Sequence, residues 1–195
     1  MKIEDNFLDQ EKFNKLQNVI MGENMPWSYT DGIVAPSWHP LGEKGKFQFC
    51  HVFYREDFPS KTFTLDYART TRIPNVPSIT ILEPILNRIN SISIWRIKTN
   101  LLTRTSNIIE NAFHIDMFSN MSEEKLKQWT TSIFYVNTNN GYTEFEDGTK
   151  VESVANRFVS FPANSKHRGT SCTDEKTRIA INFVYFKSRD YVYEK

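Results

Sequence analysis

His114 and Asp116 stand two apart in the run Ala112-Phe113-His114-Ile115-Asp116; His167 follows Asp116 by 51 positions, and Arg178 follows His167 by 11. Two imidazoles and one carboxylate can hold one face of an octahedral metal and leave the opposite face open. That donor set suits a non-haem iron(II) that must bind a co-substrate and then dioxygen. The spacing has a physical reason. Side chains alternate along a strand, so i and i+2 share a face, and His114 and Asp116 would point one way with Ile115 packed the other way. Standing alone, a His-x-Asp triplet reads as a partly buried histidine hydrogen-bonded to a carboxylate; the residues downstream decide between the two. The chain has four histidines. His39 lies in Ser37-Trp38-His39-Pro40 and His51 in an aromatic run. Their i+2 neighbours are Leu41 and Phe53, so neither copies the motif, and both read as structural or substrate-side.

The elements that would position these residues follow from periodicity. Residues 8–21 read as a helix capped by Asp9, with Phe13, Leu16 and Ile20 at helical spacing and Gly22 at its end. Residues 22–46, rich in Pro and Gly, read as loop with a strand near 28–34, residues 47–55 as a strand, and 56–76 as irregular. Pro77–Ile89 reads as a second helix with Leu82, Ile85, Leu86 and Ile89 buried, and Pro84 kinks it or delays its start. From Ser91 the pattern turns to strands: 92–103, 111–116, 129–138, 142–146, 149–154, 157–162, 166–172 and 177–187. Asn140-Gly141 and Asp147-Gly148 supply turns among them. Helices followed by about eight short strands imply an α+β, mainly β chain built as a two-sheet sandwich. A jelly roll is one such sandwich, and it leaves a mouth lined by inward-facing side chains. No repeat and no linker interrupts the chain. One domain over 1–195 is expected, helical and loop-rich to about 90 and β-sandwich over about 91–187.

Composition narrows the classes further. The 195 residues are 39% hydrophobic and 24% charged, as in an ordinary globular protein. A formal charge of +1 gives no global basis for binding nucleic acid or an anionic membrane. No apolar run approaches a membrane span. Met1-Lys2-Ile3-Glu4-Asp5 runs straight into charge, so no signal peptide is expected. Cys50 and Cys172 form neither a disulfide framework nor a zinc pattern, and reduced thiols in a cytoplasm are the expectation. The chain is expected to work as a monomer or homodimer.

Several segments in order carry a resemblance: His114-x-Asp116, Trp129-Thr-Thr-Ser-Ile-Phe-Tyr-Val-Asn137, Gly141-Tyr-Thr-Glu-Phe145, Phe161-Pro162 before His167, and Arg178-Ile-Ala-Ile-Asn-Phe-Val-Tyr-Phe186. Together they resemble the 2-oxoglutarate and iron(II)-dependent oxygenases, with the prolyl-4-hydroxylase-like branch the nearest match, over roughly residues 92–187. The resemblance implies a double-stranded β-helix (jelly roll, cupin-like) with supporting amino-terminal helices. It implies iron(II) on His114, Asp116 and His167, with 2-oxoglutarate and dioxygen as co-substrates and ascorbate as a further cofactor the family's chemistry admits. It implies oxidative decarboxylation coupled to hydroxylation of an aliphatic C–H bond, in a prolyl residue of a peptide or protein or in a free small molecule.

Arg178 becomes the clamp for the far carboxylate of 2-oxoglutarate, since a guanidinium matches a carboxylate with two parallel hydrogen bonds. Arg157 and Arg168 are its nearby competitors. Relatives place a tyrosine beside that clamp. Here Phe134 and Tyr135 are adjacent and face opposite ways, so only one can enter the pocket, and Asn100 and Asn182 are alternative polar groups. The nucleic-acid demethylase branch carries Arg-x-Asn-x-Thr-x-Arg after its clamp, and Arg178-x-Ala-x-Asn-x-Val fails that pattern. A sandwich that binds metal or ligand without turnover is the remaining reading. Segments 28–46, 56–76 and 117–128 are expected to border the substrate entrance.

Overall fold

The computed structural model describes residues 1–34, 45–55, 78–117 and 121–187. Expectations falling on 56–76 and on His39 lie outside the described residues. Helix α1 (Gln10–Ile20) starts where Asp9 accepts a hydrogen bond from the Lys12 amide, and it buries Phe13, Leu16 and Ile20. The second helix opens as a 3-10 turn over Ile79–Leu82 and becomes α-helical as α2 (Glu83–Ile89). Pro84 therefore delays the α-helix rather than kinking it. It sits in the first turn, where a missing N–H forfeits no bond. Asn90, at φ 46°, closes α2 in the left-handed conformation.

Ten strands follow chain order: β1 (Lys2–Glu4), β2 (Ser28–Asp31), β3 (Phe47–Arg55), β4 (Ser93–Thr103), β5 (Trp129–Tyr135), β6 (Tyr142–Phe145), β7 (Lys150–Glu152), β8 (Arg157–Pro162), β9 (His167–Gly169) and β10 (Thr177–Phe186), with a short helix α3 (Glu123–Leu126) before β5. Seven of them form a major sheet in the order β1-β8-β5-β10-β4-β3-β2, and β7-β6-β9 form a minor sheet. Single bridges Glu110↔Thr170 and His114↔His167 add the 110–114 segment to the minor sheet beside β9. This is the double-stranded β-helix, mainly β, with helices on one outer face.

Strand parity sorts the core. On β10, Ile179, Ile181, Phe183 and Tyr185 join Phe134, Phe158 and the apolar faces of α1 and α2 in one cluster. Opposite-parity residues Ile133, Tyr135, Val159, Phe161 and Ala180 pack against Phe145 and Val151 of the minor sheet. The inner face of β10 thus points between the sheets, where Arg178, Ala180 and Asn182 line a cavity.

Two expectations need correction. Residues 111–116 do not form a continuous strand: only Glu110 and His114 are bridged, and Asp116 lies in a bend. Strand β1, which pairs with β8 at the edge of the major sheet, was not expected from the sequence. Its three residues, Lys2, Ile3 and Glu4, are too few and too polar to show a period of two.

Candidate metal and co-substrate site

The bridge between His114 and His167 sets the site. Reciprocal backbone bonds of 2.9 and 3.0 Å join the two residues, which places their side chains on one face with ring centroids 4.9 Å apart. Asp116 comes in from the bend that follows. One donor atom from each of His114, Asp116 and His167 lies within 4.8 Å of the others. Nε2 of His114 is 4.0 Å from Asp116 Oδ1, and Nε2 of His167 is 3.5 Å from Oδ2.

Both imidazoles are held in the tautomer a metal needs. Nδ1 of His114 is 3.1 Å from the Ala112 carbonyl, and Nδ1 of His167 is 3.1 Å from the Ser165 carbonyl. A carbonyl only accepts, so each Nδ1 carries a proton and each Nε2 is the ring atom turned toward the metal position. Burial and the neighbouring His167 push the His114 pKa down to about 4, so that ring is neutral at physiological pH. Nε2 of His167 is buried with no hydrogen-bond partner, a state that costs free energy unless something fills it. That orphaned atom, together with the donor set, fits a divalent metal.

Asp116 is fixed at both oxygens. Arg96 on β4 donates to Oδ1 at 2.6 Å, and Asn182 on β10 donates Nδ2–H to Oδ2 at 3.1 Å. Burial alone would raise the Asp116 pKa. The Arg96 guanidinium leads the opposing effects, which hold the carboxyl well below its usual range.

At the other end of the cavity Arg178 is 6% exposed. Its Nε donates to Ser153 Oγ at 2.7 Å and Nη2 to Thr143 Oγ1 at 3.1 Å. Burial pulls its pKa down, with Tyr135 opposing, and no carboxylate among the described residues pairs with it. A buried guanidinium held only by hydroxyls has charge to offer an anion. Two glycines make room for it: a Cβ on Gly141 would lie 2.6 Å from Arg178 Cδ, and one on Gly169 would lie 3.2 Å from Nη1. The competing arginines are engaged elsewhere. Arg168 pairs with Glu110 and Glu144 at 2.5 and 2.6 Å, and Arg157 pairs with Asp5 at 2.6 Å.

A cavity of about 350 Å³ joins the two ends, and His114, Asp116, His167, Arg178, Asn100 and Asn182 all line it. Tyr135 does not reach it. Its ring centre is 5.6 Å from the Arg178 guanidinium carbon and its hydroxyl donates to Thr143 at 2.8 Å, so it packs beneath the clamp position; Phe134 faces the helices. Cys172 is buried and donates its thiol to the Glu175 carbonyl, away from the metal cluster. His51 meets the Pro26 carbonyl at 3.2 Å and the Phe53 ring. Thr30–Val34 and Met117 line the cavity, which puts a stretch of the expected entrance segment 28–46 and one residue of 117–128 at its wall. Sequence reading missed Arg96, Lys98, Thr143 and Ser153. Arg96 and Lys98 carried a usable signal, their alternation with Asn100 inside a predicted strand.

No protein-family model and no curated protein sequence matches the chain. Solved structures do. The chain is similar to a prolyl hydroxylase from Trichoplax adhaerens in complex with a hypoxia inducible factor oxygen degradation domain peptide fragment (TM-score 0.59, 14% identity, 95% of this chain and 83% of that one). A 2OG-Fe(II) oxygenase family oxidoreductase from Burkholderia pseudomallei gives TM-score 0.57 at 11% identity, over 95% of this chain and 83% of that one. The non-heme alpha ketoglutarate dependent epimerase SnoN from nogalamycin biosynthesis gives 0.55 at 12%, over 95% and 76%. The chain has the fold these oxygenases share. Among the described residues, no helix is long and apolar enough to cross a membrane.

Proposed function

We propose that this protein is an iron(II)- and 2-oxoglutarate-dependent oxygenase that hydroxylates an aliphatic C–H bond. The observation that carries the reading is the pairing of two unsatisfied poles in one cavity. His114, Asp116 and His167 present a three-donor cluster with an orphaned Nε2, and Arg178 presents a buried cation without an anionic partner among the described residues. A diacid that chelates a metal through one end and meets a guanidinium with the other bridges those poles.

In this reading His114, Asp116 and His167 hold the metal. When bound, iron and 2-oxoglutarate supply the oxidising power to insert one oxygen atom of dioxygen into the substrate, the other leaving in succinate as carbon dioxide is released. Everything else is positioning by this chain. Arg96 and Asn182 lock both oxygens of Asp116 in one orientation. Ser153 and Thr143 aim Arg178 at the far carboxylate. Leu102, Ile133 and Ala180 give the cavity an apolar stretch that excludes water from the co-substrate's carbon chain. Asn100 stands on the same wall as a further polar contact.

For the prime substrate we propose a prolyl residue in a peptide or protein, supported by the sequence resemblance to prolyl hydroxylases. A free small molecule is the second reading, because the same fold serves an epimerase. The test is aerobic incubation with iron(II), 2-oxoglutarate and ascorbate. Carbon dioxide release is followed together with mass spectrometry of candidate peptides and metabolites for the gain of one oxygen. Absence of 2-oxoglutarate binding by calorimetry in the presence of metal would sink the reading.

A further inference from the structure

The inner face of β4 presents Arg96, Lys98, Asn100 and Leu102 to the cavity. Three of these four keep an unmet polar group. Nε of Arg96 and Oδ1 of Asn100 are buried without partners, and Lys98 makes no hydrogen bond or ion pair among the described residues. Register locates them. Leu102 is paired with Arg178, Asn100 with Ala180, Lys98 with Asn182 and Arg96 with Val184. Lys98 therefore stands at the metal end, one strand away from the residue that holds Asp116, while Arg178 stands at the far end.

Charge counting sharpens the point. A divalent metal and a doubly ionised 2-oxoglutarate cancel each other. Asp31 and Arg55, which also line the cavity, add one formal charge of each sign to the count. Three cations, Arg96, Lys98 and Arg178, then remain against the single carboxylate of Asp116. The loaded cavity still carries excess positive charge; Arg96 pairs with Asp116 and Arg178 would meet the co-substrate, which leaves Lys98 without an ion pair of its own among the described residues. Half-buried as it is, an ammonium there is poorly solvated and gains from an anion.

We propose that the β4 wall is a subsite for an oxyanion of the prime substrate, a carboxylate, phosphate or sulfate group bound by Lys98 with Arg96 Nε–H beside it; calling the ligand the prime substrate rests on the oxygenase reading. An oxyanion accepts from both donors and offsets the excess charge in part or, as a dianion, in full. Asn100 then accepts an N–H or O–H from the same ligand. The oxyanion belongs either to a free acid or to an acidic side chain near the reacting carbon of a peptide.

Lysine footprinting tests this without turnover. The protein loaded with manganese(II) and 2-oxoglutarate is treated with acetic anhydride at neutral pH, and acetylation of Lys98 is read by mass spectrometry, with exposed Lys15 as internal control. Sulfate, compared with chloride at equal ionic strength, is expected to shield Lys98 and leave Lys15 unchanged. Unaltered Lys98 labelling overturns the subsite, while 2-oxoglutarate binding measured alongside still supports the oxygenase reading. Shielding by sulfate without any 2-oxoglutarate binding keeps the oxyanion site and sinks the oxygenase. Complete shielding by 2-oxoglutarate alone makes Lys98 a co-substrate ligand and overturns the proposal. Matched substrates separate the sources: N-acetyl amino acids against their amides, and prolyl peptides carrying Asp against Asn. The acid member of the pair should bind about tenfold tighter, the effect of one charge-assisted contact. Lys98→Gln should erase that preference, Lys98→Arg should retain it, and Lys98→Glu should reverse it. A preference unchanged in all three variants overturns the assignment.

Discussion

The two walls of the cavity are adjacent strands with opposite economies of hydrogen bonding. On β10, Arg178 has hydroxyl partners from β6 and from Ser153 just after β7, and Asn182 is bonded to Asp116. On β4, Arg96 is only partly engaged, and Lys98 and Asn100 wait for partners. The β10 wall is prebuilt by its neighbours; under the proposed function this suits a group that would bind the same co-substrate in every cycle, because donors fixed in advance need no reorganisation. Among the described residues nothing completes the β4 wall. Under the two proposals, one strand pair would separate the invariant part of the chemistry from the selective part.

The largest effect expected lies at the metal, where the two walls meet on Asp116. Asp116→Ala should lower metal affinity by more than about 100-fold, beyond the loss typical of an outer residue, and abolish 2-oxoglutarate decarboxylation. It also strands Arg96, so the metal-free protein should lose about 3 kcal/mol of stability, as when one partner of a buried pair is removed. Calorimetric metal titration and chemical denaturation read the two consequences separately. Retained micromolar metal binding would show that the three donors do not act together.

Next comes the prebuilt wall itself. Arg178→Ala should weaken 2-oxoglutarate binding by about 30- to 150-fold, the equivalent of roughly 2–3 kcal/mol for a charge-assisted bidentate contact. Gly141→Ala attacks the same group from behind. Its Cβ would meet Arg178 Cδ at 2.6 Å and the Ser171 carbonyl at 2.7 Å, and the second of these is backbone that cannot swing aside. A loss of about 1–3 kcal/mol in stability is expected, together with weaker co-substrate binding. Normal affinity in both variants would move the clamp elsewhere.

How much of this was legible in the sequence differs between the walls for a physical reason. The residues 114, 116, 167 and 178 stood out because histidine is scarce here and because i, i+2 parity and an arginine opening an apolar strand are local signals. The face assignment on β10 was legible too, since Ile179, Ile181, Phe183 and Tyr185 form an unbroken apolar stripe. On β4 the same alternation was present in Arg96, Lys98 and Asn100, but charges alternating along a strand ordinarily mark the solvent face. Only pairing between β3 and β10 turns that face inward, and pairing is non-local. The Asp116 bend, read as strand, and the short edge strand β1 were lost because each depends on a partner remote in sequence.

A smaller effect isolates Arg96 from Asp116. Arg96→Met keeps the bulk of the side chain and removes its hydrogen bond to Oδ1. Metal affinity should fall about tenfold, at the low end for a group that orients a ligand, because Asn182 still holds Oδ2. Asn182→Ala should cost less, since an amide bond to the carboxylate is weaker than a guanidinium one. A reversed order of the two variants, read by metal titration, would mean that β10 and not β4 fixes the carboxylate.

The smallest effect is a control on the comparison. Arg168 follows a proposed metal ligand and competes by position with Arg178, yet it turns outward to Glu110 and Glu144 and lies over the Phe113 ring at 4.5 Å. Its partners are partly exposed, and such pairs contribute about 1 kcal/mol or less. Removing it leaves two carboxylates facing one another on the minor sheet, with Lys150 still 3.8 Å from Glu144 to absorb part of the repulsion. Arg168→Ala should therefore shift the unfolding midpoint slightly, more at low salt than at high salt, and leave 2-oxoglutarate affinity within about twofold of the original, since no charge in the cavity has changed. A large loss of co-substrate affinity in this variant, with Arg178 intact, would mean that the outward network tunes the clamp through Gly169, whose backbone joins Arg168 to the edge of the Arg178 guanidinium.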